Sequence, residues 1–213
     1  MTQGTTYKPD YKYLPPIWPG LLPFYDFLCF IIGLGPGFRE KVLNNVSLRD
    51  GMIVADIGCG TGVLLSIGKE KYPNVEFIGL DPDEQALDIA RRRLEKAGLA
   101  VALKEAYAES LPLSDKSVDV CFSTFVFHHL PDNIKRAAAA EIYRALKSGG
   151  QLVLADFGAT ESKLFRKMLF FEKLEYIEGN FNGLIPKLLL ESGFKIKVVK
   201  RHFPGVDIIL AEK

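Results

Sequence analysis

From residue 51 onward the chain alternates short apolar runs with stretches in which apolar residues recur every three or four positions, the two patterns of buried strands and amphipathic helices. Residues 53 to 57 are apolar apart from Asp56 and lead into a loop with glycine at every second position, Gly58, Gly60 and Gly62. Val63, Leu64, Leu65 and Ile67 resume an apolar pattern at once, so the glycines lie between the carboxyl end of a strand and the amino end of a helix. A side chain there would block both the tight turn and the approach of a ligand to backbone N–H groups. Residues 75 to 80 predict a second strand, which ends at Asp81. Leu87, Ala90, Leu94 and Ala97 then share one face of a helix that stops at Gly98, with Arg91, Arg92 and Arg93 on its solvated side.

The alternation continues to the carboxyl end. Val101 and Leu103 open a third strand that runs into residues 106 to 112, and residues 117 to 123 form a fourth, from whose end residues 124 to 130 depart. Asp132 is expected to cap a helix striped by Ile134, Ala138, Ile142 and Ala145 and ended by Gly149 and Gly150, before a fifth strand at 151 to 156. Residues 163 to 179 read as an amphipathic insertion, 184 to 192 as a short helix stopped by Gly193, and 194 to 200 with 206 to 211 as a closing hairpin around Phe203, Pro204 and Gly205. Strands alternating with helices indicate an α/β fold with a largely parallel sheet, and such sheets bind ligands outside the carboxyl ends of their strands.

Two features at that edge carry candidate chemistry. Asp81 stands 19 residues beyond Gly62 at a strand end, where an acid is placed to accept hydrogen bonds from the hydroxyls of a ribose. Asp81, Pro82 and Glu84 equally fit a helix N-cap, a first-turn proline and the acid of a capping box. His128 and His129 lie in an apolar loop at the same edge, and histidine is the side chain poised to exchange protons near neutral pH. Neighbouring residues point in different directions, so at most one is expected to face the site; the alternative is that both shape the pocket or hold the loop.

Residues 1 to 50 break the pattern. Prolines at 15, 16 and 19 exclude a regular helix there, whereas residues 24 to 35 are strongly apolar and expected to pack as a helix on the domain. That run is too short for the ~30 Å core of a bilayer and has neither the basic flank nor the cleavage site of a leader. The surplus of aromatic and aliphatic residues from Ile17 to Ile32 suggests a lid over a ligand, or a face that touches a membrane surface. The chain thus divides into a cap at 1–50 and a ligand-binding domain at 51–213, within one domain overall. With 27 basic and 26 acidic residues among 213 and no long basic run, nucleic acid is not an expected partner. Cys29, Cys59 and Cys121 sit in apolar or glycine-rich surroundings without a C-x-x-C pair, and with the three histidines they form no metal signature. Reduced thiols, a cytoplasmic location with peripheral membrane contact, and no bound metal are expected.

The motifs together resemble a known family. Asp56 to Gly62 read Asp-Ile-Gly-Cys-Gly-Thr-Gly; the strand-end Asp81, Leu111-Pro112 with Ser117-Val118-Asp119-Val120, His128-His129-Leu130, and the run Glu141 to Gly150 follow in register. This order resembles the class I S-adenosylmethionine (SAM)-dependent methyltransferases, and within them the branch of ubiquinone/menaquinone C-methyltransferases and small-molecule methyltransferases. The resemblance implies a Rossmann-like three-layer sandwich with a seven-stranded, mostly parallel sheet, an antiparallel last strand inserted between its neighbours, and an N-terminal helical cap. It implies SAM as cofactor, S-adenosylhomocysteine as product, and cofactor contacts from Tyr25, Asp56, Gly58, Cys59, Gly60, Thr61, Gly62, Asp81, Pro82, Ala108, Glu109, Ser123 and Thr124, Tyr25 by virtue of a Tyr-Asp pair with Asp26 in the cap. One position departs from the family pattern: Tyr107 stands where the Asp of Gly-Asp-Ala-x-x-Leu-Pro contacts adenine, leaving Ala108 N–H and Glu109 as the replacements. The acceptor implied is a small, apolar molecule of quinone, phenol or lipid type; an activated carbon or a phenol calls for a base, for which His128, His129 and Asp156 are the candidates, whereas an amine needs only positioning. A monomer and a homodimer both remain open. Two other readings stand beside it: a NAD- or nucleotide-binding Rossmann oxidoreductase, opposed by the glycine spacing, and a non-catalytic SAM-binding or membrane-surface protein.

Overall fold

The computed structural model describes residues 33–162, 176–203 and 205–213, together with Pro9, Phe27 and Phe30. Seven strands make one sheet: β1 (Ile53–Ile57), β2 (Glu76–Asp81), β3 (Ala102–Glu105), β4 (Val118–Thr124), β5 (Leu146–Phe157), β6 (Lys195–Phe203) and β7 (Val206–Glu212). Their order is β3-β2-β1-β4-β5-β7-β6, with β7 antiparallel to both of its neighbours and the remaining pairings parallel. The Rossmann-like sheet and its antiparallel last strand are therefore as the resemblance implied. Order reverses on either side of β1, which opens a crevice at the carboxyl ends of β1, β2 and β4.

Helices α1 (Pro36–Leu43), α2 (Val63–Lys71) and α3 (Glu84–Lys96) cover one face, and α4 (Asp132–Ala145) and α6 (Leu184–Glu191) the other; α5 (Glu178–Phe181) is a single turn. Alternation along the strands divides their side chains between the faces: Val54, Phe122 and Val153 meet α1 to α3, whereas Ala55, Ile57, Cys121 and Leu152 meet α4 and α6. Both faces are covered, which is why β4 is buried almost throughout. Leu34, Phe38, Val42, Leu43, Val46 and Leu48 are buried in the first of these cores, so the chain from residue 34 onward is part of the domain's packing. Apart from Phe27 and Phe30, both exposed, the proposed lid at residues 17 to 32 lies outside the described residues, as do Tyr25, Cys29 and most of the insertion at 163 to 179. Among the described residues no helix is long and apolar enough to cross a membrane, and no group of His, Cys, Asp and Glu side chains is placed to hold a metal.

Several boundaries differ from the sequence expectation for local reasons. The cap of α3 is Asp83, whose Oδ1 accepts the N–H groups of Gln85 and Ala86, and Asp81 is left inside the strand. Pro131 is the N-cap of α4, and its carbonyl accepts Lys135 N–H. Asp132, expected as the cap, lies in the first turn and accepts a bond from the Lys135 ammonium, which is fully buried and also donates to Tyr176 O. A buried ammonium needs that counter-charge more than the helix needs a second cap. Ala97 is exposed, so the buried stripe of α3 ends at Leu94. Helix α4 ends at Ala145 rather than at the glycines, because Leu146 already pairs with Val118 and β5 begins there.

The carboxyl end of α4 is closed by Lys213, which comes from beyond β7. Its ammonium donates to Tyr143 O at 2.6 Å, Leu146 O at 2.8 Å and Arg144 O at 3.3 Å, and stands 4.6 Å from the centre of the Tyr143 ring. A cation here answers the unsatisfied carbonyls and the negative end of the helix dipole. Lys213→Met keeps the apolar stem and removes the charge; we expect a loss of about 1 kcal/mol, read as a fall of ~2 to 4 °C in melting temperature at this chain length. An unchanged melting curve would show that water replaces the ammonium without loss.

Candidate active site

The crevice is built on the glycine loop between β1 and α2. Gly58 N–H and Cys59 N–H both donate to Leu80 O, at 2.7 and 3.1 Å, and Gly60 N–H donates to Asp81 Oδ2 at 2.8 Å. The loop is thus tied to the end of β2 at three successive residues. Gly58, Gly60 and Gly62 all have left-handed backbones, with φ of 72°, 53° and 75°. Their surroundings distinguish them. A Cβ on Gly62 would stand 2.9 Å from Ala90 Cβ, so this glycine lets α2 pack on α3, whereas a Cβ on Gly60 would meet nothing within 4 Å and would project into open space. Helix α2 starts without a side-chain cap, which leaves its first N–H groups beside that space.

Two acids stand side by side at this edge. Asp56 and Asp81, at the ends of β1 and β2, are only 2 % and 6 % exposed. Burial pushes the Asp81 carboxyl up to about 6, against the pull of hydrogen bonds from Asp83 and Gly60 N–H. Burial likewise pushes Asp56 up to about 7; the Arg39 guanidinium lowers it and Asp81 raises it further. Asp81 uses one lone pair on each oxygen for these backbone donors, Oδ1 for Asp83 and Oδ2 for Gly60. A carboxylate accepts about four hydrogen bonds, so two sites remain for neighbouring hydroxyls.

The other walls come from four segments. Pro82 follows Asp81; Ala106, Tyr107 and Ala108 come from the loop after β3; Thr124, Phe125 and Val126 leave β4; His129 and Leu130 follow through a 3₁₀ turn at Phe127–His129; and Arg39 reaches over from α1. Thr124 Oγ1 is buried with no hydrogen-bond partner among the described residues and borders the crevice, as a hydroxyl awaiting a ligand would. Phe125 has a left-handed backbone, φ 59°, rare for an aromatic residue and costly unless its surroundings impose it. They do: its N–H donates to Ala155 O at 2.8 Å, its ring packs on Phe38 and Phe157, and the Arg39 guanidinium lies 5.4 Å from its centre.

The two histidines have different settings. His128 is buried, with Nδ1 2.8 Å from Asp156 Oδ1 and its ring edge against Phe157. Asp156 also accepts Phe127 N–H and Phe157 N–H, so it fixes the turn as well as the ring. His129 borders the crevice, its ring centre 3.9 Å from that of His128. Burial, and then the neighbouring His128, hold its pKa well below the usual value, so the ring is neutral at pH 7.

Of the residues named from sequence, Asp56, Gly58, Cys59, Gly60, Thr61, Asp81, Pro82, Ala108, Thr124 and His129 come together around the crevice. Gly62, Glu109, Ser123 and His128 do not line it. Gly62 packs on Ala90, Ser123 precedes Thr124 on β4 and so points to the other face, and His128 is turned toward Asp156. Glu109 sits at the tip of a tight turn closed by Ser110 N–H to Tyr107 O. Cys59 and Cys121 are free, buried thiols whose pKa burial raises. Sequence reading missed Arg39 and Phe125. Arg39 follows the apolar N-terminal run in Phe-Arg-Glu, with no spacing that ties it to the glycine loop, and nothing in the composition of 124 to 130 announces a left-handed phenylalanine.

The chain is similar in sequence and in fold to known proteins. A family model described as a methyltransferase domain matches residues 54–150. The demethylmenaquinone methyltransferase of Thermus thermophilus is 31% identical over 168 residues, 76% of this chain and 76% of that protein. That of Deinococcus radiodurans is 32% identical over 151 residues, 70% of this chain but 62% of its own length. Among solved structures, a SAM-dependent methyltransferase from Aquifex aeolicus superposes with a TM-score of 0.71 at 23% identity, over 92% of this chain and 98% of that one. These likenesses decide between the methyltransferase and oxidoreductase readings: the chain belongs to the class I SAM-dependent methyltransferases, enzymes whose methyl donor is SAM and whose spent cofactor is S-adenosylhomocysteine.

Proposed function

We propose that this enzyme methylates a small, flat, apolar acceptor of phenol or quinol class, with His129 as the base. The observation that carries the reading is the wall beyond β4, where Phe125, Val126 and Leu130 are apolar and His129 stands among them as a neutral imidazole. A flat ring is suited to apolar and aromatic side chains, and a hydroxyl on it would meet an acceptor nitrogen. The names of the relatives, demethylmenaquinone methyltransferases, agree with that class.

SAM fits the remaining residues. In this reading Asp81 holds the ribose hydroxyls with its two spare acceptor sites, and Gly60 leaves room for the cofactor's close approach. Tyr107, Ala108 and Pro82 take the adenine, Tyr107 offering its ring in place of the family's carboxylate. Asp56 and Arg39, opposite in charge at one end of the crevice, suit the ammonium and carboxylate of the methionyl end, and Thr124 Oγ1 offers them a further polar partner. Bound SAM supplies a methyl group already activated by its sulfonium. The chain's own work is then to hold the acceptor in line, exclude water and receive one proton: His129 takes it from the acceptor, and the apolar wall keeps the ring neutral until it does.

Calorimetry with S-adenosylhomocysteine tests the cofactor side. Asp81→Ala should weaken binding by ~2 to 4 kcal/mol, since two hydrogen bonds to a charged group are lost. Wild-type affinity in this variant would leave Asp81 only the task of holding the loop.

The raised acids give a pH signature. Binding favours their charged forms and so releases protons, which means that affinity should fall as pH drops through about 7 and then about 6, the values of Asp56 and Asp81. Folding responds with the opposite sign. The native state binds protons more tightly than the unfolded chain, whose carboxyls titrate near 3.8, so the pair's contribution to stability declines as pH rises from about 4 to about 7. An affinity that is flat between pH 5.5 and 8 would remove both acids from ligand recognition.

For the acceptor, a short-chain demethylmenaquinol should be methylated, and His129→Gln should lower kcat by ~10² to 10⁴ while leaving the KM for SAM unchanged. An unaltered kcat would reduce His129 to part of the wall, and transfer to an amine but not to the quinol would overturn the acceptor class.

A further inference from the structure

The loop after β3 walls the crevice with Ala106, Tyr107 and Ala108 and then leaves it, yet it has little regular structure of its own beyond a bridge between Tyr107 and Ser110. Its shape is imposed from behind, by two residues of α4 that do not border the crevice. Arg144 uses all five of its N–H groups in one cluster. Nε donates to Glu141 Oε1 at 2.8 Å; one terminal nitrogen donates to Glu141 Oε2 at 2.8 Å and Leu111 O at 3.2 Å; the other donates to Leu113 O at 2.8 Å and Asp115 Oδ1 at 2.6 Å. Glu141 Oε2 in turn accepts Leu111 N–H at 3.0 Å. The loop's next two N–H groups, of Lys116 and Ser117, end on Arg144 O and Ala145 O.

Half-exposed ion pairs contribute little to stability, and Arg144 and Glu141 are 31% and 24% exposed at their side chains. Two polar bonds to the main chain of one residue, Leu111, and others to Leu113 and Asp115 are instead what fixes a loop's path. We infer that Glu141 and Arg144 are positioning residues for the cofactor, holding the 106–115 loop in its ligand-receiving shape before SAM arrives. Neither touches the ligand; they act through Leu111 on Tyr107 and Ala108. The inference rests on the proposed placement of adenine against those two residues. Only arginine supplies a planar fork that binds a carboxylate and two carbonyls together; lysine keeps the charge and loses the fork.

The test compares two ligands, S-adenosylhomocysteine and 5′-methylthioadenosine, which shares the adenosine but lacks the amino-acid end. In Arg144→Lys both should bind about tenfold more weakly, as a loop that must be ordered on binding costs ~1.4 kcal/mol. KM for SAM should rise by the same factor with kcat unchanged at saturation, a split that a general loss of stability would not produce. Glu141→Gln, which retains an acceptor for Leu111 N–H, should weaken both ligands by a smaller factor and serves if Arg144→Lys folds poorly. Wild-type affinity for both ligands in the folded variants, with Tyr107→Ala weakened, would overturn the positioning role alone. Tyr107→Ala with unchanged methylthioadenosine affinity would overturn the adenine placement and the inference with it. Failure of the wild-type protein to bind S-adenosylhomocysteine would instead strike the reading of the cleft itself.

Discussion

The carboxyl edge of the sheet depends on the bond between Gly60 N–H and the Asp81 carboxylate. It joins the loop that ends β1 to the acid that ends β2, and it does so with a group that is buried and reluctant to ionise. The same oxygens that hold the loop are those with capacity left for a ligand. Loop geometry and ligand recognition are therefore one arrangement, and a change in either moves the other. Asp56, alongside, adds a second charge that water cannot stabilise, and Arg39 offsets it from a helix on the same side. Such a site is electrostatically unfinished in the free protein, as preorganised sites are.

Much of this was legible in the sequence, because its cause is local. Strands β1, β4 and β5 are covered on both faces and so carry short apolar runs, Ile53–Ala55, Val120–Phe122 and Leu152–Ala155, that end near an acid or hydroxyl at the sheet edge; the glycine triplet needs left-handed φ values that side chains resist; Asp81 follows from spacing along a single β-α-β unit. The rest depends on partners distant in the chain. Which of two adjacent histidines faces the crevice is decided by Asp156, 28 residues further on, and no pattern near 128 records that choice. Arg39 is placed by the packing of α1, whose buried residues Phe38 and Val42 set its direction. The sequence leaves Asp81 open to either role, ligand acceptor or cap of α3, because Asp81 and Asp83 carry the same capping signal and only the demand of the Gly60 N–H separates them.

Helix α4 connects features that seem unrelated along the chain. Its amino-terminal turn buries Lys135 against Tyr176, its middle fills the core beneath β4 and β5, and its last turn grips the loop after β3 through Arg144 and is itself closed by Lys213. Few of these contacts join neighbours in sequence. The helix acts as a strut between the loop after β3 and the half of the sheet where β7 returns beside β5.

The packing of Gly58 bears on how this sequence is able to drift. A Cβ built there would fall 2.2 Å from Val126 Cγ2, far inside any contact that real atoms make. A methyl group at position 58 therefore displaces the Val126 side chain besides straining a left-handed backbone, and Val126 in turn follows the left-handed Phe125. The two sites are coupled in evolution: alanine at 58 is eased by a smaller residue at 126, at the expense of part of the wall that borders the crevice, and still carries the strain of its left-handed backbone.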